Sequence, residues 1–200
     1  MKSIHKKNEI ILASKSKVRK EILEKNNIKC KVIASNTDEE PIKASLVNEG
    51  ASPELISKNL AEIKATKVSS LNEDVIVLGA DSVIDLENTI ISKPKNREEA
   101  LKILEKLNGK QHYLISSVTI AKNGSMIWNY TDKAKLTMKK FSLDELREYL
   151  SKISDTALYS YNVYQIEGEG RSLFSKIEGD ENTIMGLPIK KIKEYLKDKI

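Results

Sequence analysis

A single cysteine, Cys30, stands in the 200-residue chain, so no intramolecular disulfide can form and no cysteine-based zinc cluster can be built. Histidine is scarce too. His5 and His112 are too few for a histidine-rich metal site, and no Ser–His or Cys–His arrangement points to acyl or thiol chemistry. Aromatic residues make up 5% of the chain, with Trp128 the one tryptophan, which argues against a stacking platform for single-stranded nucleic acid. No apolar run reaches membrane-spanning length, and the charged start of the chain lacks the apolar stretch of a secretory leader. Gly-rich Walker loops, internal repeats, linkers and low-complexity tracts are missing as well. The expectation is a cytoplasmic protein, with no membrane partner, forming a single domain over residues 1–200.

What is present fits a globular protein: 40% hydrophobic and 32% charged residues, with a net charge of +5. The lysines are spread along the chain, which suits plain solubility. The same balance permits nucleic-acid contact or a polyphosphate ligand that gathers cations at one site.

The central stretch is Val75-Ile-Val-Leu-Gly-Ala-Asp-Ser-Val-Ile84. Its β-branched run ends in small residues and reads as a strand buried on both faces, with Asp81 where the strand leaves the core. Ligands of open α/β sheets gather at such strand ends. Asp81 is equally compatible with opening a turn or capping a neighbouring segment.

Around that strand, Glu9 to Ala13 reads as a first strand entering a helix through Ser14 or Ser16 as N-cap. Free helix N–H groups, Ser14, Lys15, Lys17 and Arg19 would favour a phosphate there. Lys29 to Ala34 reads as a second strand, followed by an acidic loop, Ser35-Asn-Thr-Asp-Glu-Glu40, that is either solvated or a metal or water site. Ser52-Pro53 opens a helix to about residue 70 with Ile56, Leu60 and Ile63 buried. Lys64 lies beside that stripe, where its stem can cover the core and its ammonium reach a cleft. A short strand follows over 89–94, then a helix over 97–107 started by Asn96 and Glu99. A long hairpin spans 111–139, with His112 expected at the surface or sheet edge. Ser142 caps a helix over 143–152, and the chain becomes irregular through Tyr159, Tyr161 and Tyr164 to Glu167-Gly-Glu-Gly170. Those glycines permit a sharp turn near a ligand, or simply a loop. Leu173 to Ile177 reads as a strand, and Gly186-Leu-Pro188 leads into a last helix with Ile189, Ile192, Tyr195 and Leu196 inside. The fold class is α/β of mixed α+β character, with a central mixed twisted sheet flanked by helices.

Seven short motifs in order resemble the Maf family of nucleoside triphosphate pyrophosphatases. Leu12-Ala-Ser-Lys-Ser-Lys-Val-Arg19 resembles its L-A-S-x-S-P-R-R, and Thr37-Asp-Glu39 its acidic element. Leu60-Ala to Lys64-Ala65 resembles L-A-x-x-K-A, Gly79-Ala-Asp-Ser82 resembles G-A-D-T, and Ser92-Lys-Pro94 resembles G-K-P. Glu99-Ala100 to Leu107-Asn-Gly109, and Ile177-Glu-Gly179 to Gly186-Leu-Pro188, complete the series.

The resemblance implies an elongated fold with a cleft between two lobes, and hydrolysis of a nucleotide between its α- and β-phosphates in a housekeeping role. It implies Mg²⁺ or Mn²⁺ as cofactor, and it makes a homodimer plausible. By carry-over, Asp81 is the proton acceptor and a metal ligand, and Glu39 a second metal ligand. Ser14, Arg19, Lys64 and Lys93 would hold the polyphosphate. The chain departs from the family at Lys17-Val18, which replaces Pro-Arg, and at Ser160 to Tyr164. Glu167 replaces a glutamine common in the family and, with Val18 and Asp180 to Thr183, resembles the branch acting on 7-methyl-GTP. Glu167 either faces the base or is a loop carboxylate or metal ligand. The alternative substrates are dTTP and UTP. From another class, a regulatory protein binding nucleotide or nucleic acid without turnover is the competing reading, although no stable nucleic-acid partner is expected.

Overall fold

The computed structural model describes residues 9–155, 157–158 and 162–199. The expectations made for residues 1–8, including His5, and for Tyr159, Ser160 and Tyr161 lie outside the described residues.

Three strands carry the order of the fold. β1 (Ile10–Leu12) is fully buried and lies parallel to β2 (Cys30–Val32) on one side and to the start of β3 (Val77–Leu86) on the other. β3 turns through Glu87 and Asn88, both at positive φ as a two-residue hairpin turn requires, into the short β4 (Thr89–Ile91). Its other edge pairs antiparallel with β5 (Gln111–Lys122), which returns as β6 (Ser125–Met138) and then β7 (Phe174–Glu178). The result is a seven-stranded mixed sheet in the order β2-β1-β3-β5-β6-β7, with β4 also on β3. This matches the expected mixed α/β class.

The site follows from an interruption in that sheet. On one edge, β3 pairs β1 at residues 77–78 and β4 at residues 84–86. No strand among the described residues pairs with residues 79–83 on that edge. A gap therefore opens in the middle of the sheet, and Asp81 lies in it.

Helices cover both faces, and most begin where a side chain can satisfy free N–H groups. α1 (Lys17–Lys25) is capped by Ser16, which accepts from Arg19 N. α2 (Glu39–Asn48) follows Asp38, and α3 (Pro53–Ser69) follows Ser52 with proline in its first turn. α4 (Arg97–Leu107) is capped by Asn96, and α5 (Leu143–Lys152) by a reciprocal Ser142–Glu145 box. A 3₁₀ turn over Glu169–Leu173, the short α6 (Glu181–Ile184) and α7 (Ile189–Leu196) complete the chain. One core gathers β1, α1 and α7 around Leu12, Leu23, Leu78 and Ile192. A second gathers α4, α5 and the far ends of β5 and β6 around Leu104, Leu136 and Leu146. The gap lies between these two cores, as expected of a cleft between two lobes. Among the described residues no helix is long and apolar enough to cross a membrane.

Several expectations are corrected. β3 does not end at Asp81 but continues to Leu86, so Asp81 is a mid-strand residue, 5% exposed, and opens no turn. The acidic stretch does not stay a loop: Glu39 and Glu40 start α2, where carboxylates suit the helix dipole and Pro41 needs no N–H partner. No α2 residue is buried, so the sequence carries no amphipathic stripe there. His112 is not at the surface; it is 1% exposed and packed between Tyr164 and Phe174. Ile63 is only half-buried, and Lys64 is buried in its place. Tyr195 is half-buried and stacks on Trp128 at 4.8 Å between ring centres.

Candidate active site

Lys64 projects from the buried face of α3, between Leu60 and Val68. A lone ammonium there would be costly, and two carboxylates neutralise it. Its Nζ lies 2.7 Å from Asp81 Oδ1 and 2.9 Å from Glu39 Oε1. Burial tends to raise the Glu39 pKa, but the Lys64 charge and hydrogen bond outweigh it and hold the carboxyl below its ordinary value. The second oxygen, Asp81 Oδ2, is buried without a hydrogen-bond partner.

Arg19 reaches the gap from α1. Its Nη1 donates to Ala80 O at 2.9 Å, where a neighbouring strand would otherwise bond, and to Ser14 Oγ at 3.1 Å. Nε donates to Gly186 O at 2.9 Å and Nη2 to Ser82 Oγ at 3.0 Å. Burial of the guanidinium lowers its pKa, while Asp81 and Glu39 oppose that shift. Lys93 follows β4 on the opposite wall. Its pKa is lowered first by burial and then by the Arg19 charge, which places these two cations within each other's field.

These groups line one cleft of about 520 Å³. It holds Ser14, Arg19, Glu39, Lys64, Asp81 and Lys93 together, with Glu167 exposed at its rim. Apolar walls come from Val83, Leu114, Ile166 and Met185. Such a cleft can receive a ligand with a highly charged end and a flatter, less polar end. Lys15 and Lys17 border it as well, whereas Asp38, Glu40 and His112, also singled out in the sequence, do not. Ser82, Thr183 and Gly186 entered the sequence reasoning only as members of family motifs, with no role of their own, and Ser116 did not enter it. For Ser116 the available signal was the run Ser116-Ser117 inside an otherwise apolar strand, where buried hydroxyls must find partners.

A model of the Maf-like protein family matches residues 9–199. The chain belongs to the Maf family. A Pelagibacter ubique protein named nucleoside triphosphate pyrophosphatase is 69% identical over 189 residues, 94% of this chain and 97% of its own. A Brucella abortus protein named 7-methyl-GTP pyrophosphatase is 38% identical over 180 residues, 90% of each chain. In fold alone the chain is also similar to the HAM1 protein from Coxiella burnetii, at TM-score 0.56 and 15% identity over 95% of this chain and 98% of that one.

The Maf cleft also bears on the implied divalent cation. Among the described residues, no three His, Cys, Asp or Glu side chains gather as a protein-only metal cage. The unpartnered Asp81 Oδ2 and the nearby Glu39 nevertheless fit a hard cation that takes its other ligands from phosphate oxygens and water, as Mg²⁺ does.

Proposed function

We propose that this Maf chain hydrolyses the anhydride between the α- and β-phosphates of a nucleoside triphosphate. A water oxygen joins the α-phosphorus, the bridging oxygen leaves with pyrophosphate, and a nucleoside monophosphate remains. One observation carries the reading: Asp81 has one oxygen tied to Lys64 and the other without a protein donor, in a cleft that also holds Arg19 and Lys93. A carboxylate so placed can orient a water and take its proton, and the cations favour the charge developing on the leaving phosphates. In this reading Ser14, Arg19, Lys64 and Lys93 hold the polyphosphate, and Asp81 with Glu39 would hold the cation. Bound there, Mg²⁺ or Mn²⁺ would neutralise phosphate charge and polarise the anhydride.

The substrate is a purine nucleotide carrying extra positive charge on its base, of which 7-methyl-GTP is the best example. Glu167 stands at the rim of the apolar end. A carboxylate only accepts hydrogen bonds, so it pairs with the N1–H and N2–H edge of guanine and favours a cationic ring. The relative named for 7-methyl-GTP supports this choice over dTTP or UTP.

Pyrophosphate release from a nucleotide panel, with and without Mg²⁺, tests both parts. Release that needs the cation and is fastest with 7-methyl-GTP is the expected result. Tight nucleotide binding with no release would replace the enzyme reading with a regulatory one.

A further inference from the structure

The Arg19 contacts belong to a closed ring. Ser82 Oγ, which accepts from Arg19 Nη2, lies 2.7 Å from Ser116 Oγ on the neighbouring strand. Ser116 gives its only proton to the Thr183 carbonyl at 2.7 Å, so Ser82 must be the donor to Ser116. The same Thr183 carbonyl accepts from Gly186 N at 3.0 Å, and the Gly186 carbonyl accepts from Arg19 Nε at 2.9 Å. Hydrogen bonds thus run Arg19 to Ser82 to Ser116 to Thr183, and from both Gly186 and Arg19 back along the segment. Gly186 sits at φ +93°, and a Cβ there would lie 3.1 Å from both Arg19 Nε and Ser82 Oγ. From outside, the Thr183 hydroxyl donates to Asp132 Oδ2 on β6 at 2.7 Å.

Such a ring has a consequence for Arg19. Its four bonds to the protein engage Nε, both Nη1 protons and one Nη2 proton, leaving one of five N–H groups for a ligand. Arg19 is therefore no free bidentate fork. It is a fixed charge whose place is set by Ser82 and by the 183–186 segment. Aligned hydroxyl donors beside a cation polarise one another, so losing one link weakens the rest.

We propose that Ser116, Thr183 and Asp132 are positioning residues that hold the Arg19 charge and the Gly186 turn in register with the phosphate end of the cleft. The proposal rests on the pyrophosphatase reading and deepens it. None of the three needs to touch substrate. Ser116 and Thr183 are fully buried, and the Asp132 carboxylate meets the ring at the Thr183 hydroxyl while its backbone lies opposite Ser116 in the β5–β6 ladder.

Four variants test it: Ser116→Ala, which breaks the ring, Thr183→Val, which breaks the tether from the ring to Asp132 and keeps the carbonyl, Thr183→Ser, which keeps the hydroxyl, and Ser117→Ala as control. Ser117 is an equally buried hydroxyl on the same strand that bonds Thr131 instead. Ser116→Ala and Thr183→Val should each lower kcat/KM about tenfold and weaken pyrophosphate binding in calorimetry about tenfold. Their melting temperatures should fall no further than that of Ser117→Ala. Thr183→Ser should stay within about twofold of the parent, and so should the activity of Ser117→Ala. The proposal is overturned if both link-breaking variants keep parental kcat/KM and pyrophosphate affinity, or if Ser117→Ala loses as much as they do. A parent protein that binds pyrophosphate but releases none from any nucleotide would sink the pyrophosphatase reading. The binding arm would still decide the ring.

Discussion

Gly79 lets α3 lie directly on β3: a methyl group on it would overlap the Ala61 carbonyl oxygen and stand 2.7 Å from Ala65 N. The two contacted residues flank Lys64 on α3, so the missing side chain on the strand sets how closely the ammonium approaches Asp81. Gly79→Ala should therefore act twice. Overpacking should cost about 1–3 kcal/mol. Activity should fall further than the loss of folded protein explains, because the helix must shift outward. Urea unfolding together with turnover per folded molecule checks this; a variant of parental stability and activity would refute it.

The Lys64 bridge predicts an asymmetry between its partners. In Asp81→Asn the ammonium keeps Glu39, and a neutral amide replaces one carboxylate. In Lys64→Met both carboxylates lose their shared counter-charge. Removing one member of a buried ion pair typically costs about 3–5 kcal/mol. Lys64→Met should sit in or near that range at neutral pH, with Asp81→Asn clearly below it. Because Lys64 holds the Glu39 pKa down, the associated stability is present above the unfolded value near 4.5 and lost as the pH falls through the folded one. The Lys64→Met deficit should accordingly narrow in acid. Asp81→Asn should lose pyrophosphate release by at least about a hundredfold while remaining folded. Chemical denaturation at two pH values, with product assays beside it, measures all three.

How much of this was legible in the sequence depends on the range of the interaction. Caps at Ser52, Asn96 and Ser142 act over three residues, and each helix starts where its cap predicts. A local rule, the anion-favouring start of a helix, joins Ser14 and Arg19. Their convergence with Lys64, Asp81 and Lys93 was legible only through the family motifs, since no local rule joins residues so far apart. The length of β3 was not legible. Asp81 and Ser82 look like a strand end until Lys64, from another element, neutralises the first, and Ser116 and Arg19 satisfy the second. α2 left no trace because it buries nothing. The hydroxyl ring was invisible for a related reason: its links join residues 34, 63 and 67 positions apart.

His112 should make folding sensitive to mild acid. Its Nε2 lies 2.9 Å from the Tyr164 hydroxyl, while Nδ1 is buried with no partner. Burial pushes its pKa down from 6.5 to about 4. A folded pKa below the unfolded one means that stability is complete above pH 6.5 and drains away as the pH falls toward 4. Between pH 7 and pH 5 the loss should be about 2 kcal/mol. Trp128 fluorescence can follow urea unfolding at both values. His112→Phe should flatten this dependence, at a cost of about 1 kcal/mol at neutral pH for the unpartnered Tyr164 hydroxyl. An unchanged slope in that variant would assign the acid sensitivity elsewhere.

Glu167 gives the sharpest test of substrate choice because it is exposed and follows the buried Ile166, so its replacement should leave the fold alone. A glutamine in its place keeps the length but changes the hydrogen-bonding pattern. Its amide both donates and accepts, which suits the O4 and N3–H of thymine or uracil and mismatches the two donors of guanine. It also removes the negative charge that favours a cationic, methylated ring. Glu167→Gln should therefore lower kcat/KM for 7-methyl-GTP by about tenfold and raise it for dTTP or UTP, with melting temperature unchanged. On the proposed reading Glu167 acts on the base in ground and transition states alike, so the preference should move in KM more than in kcat. Equal turnover ratios for the two forms would place base recognition on the other walls of the cleft, with Glu167 merely a rim carboxylate.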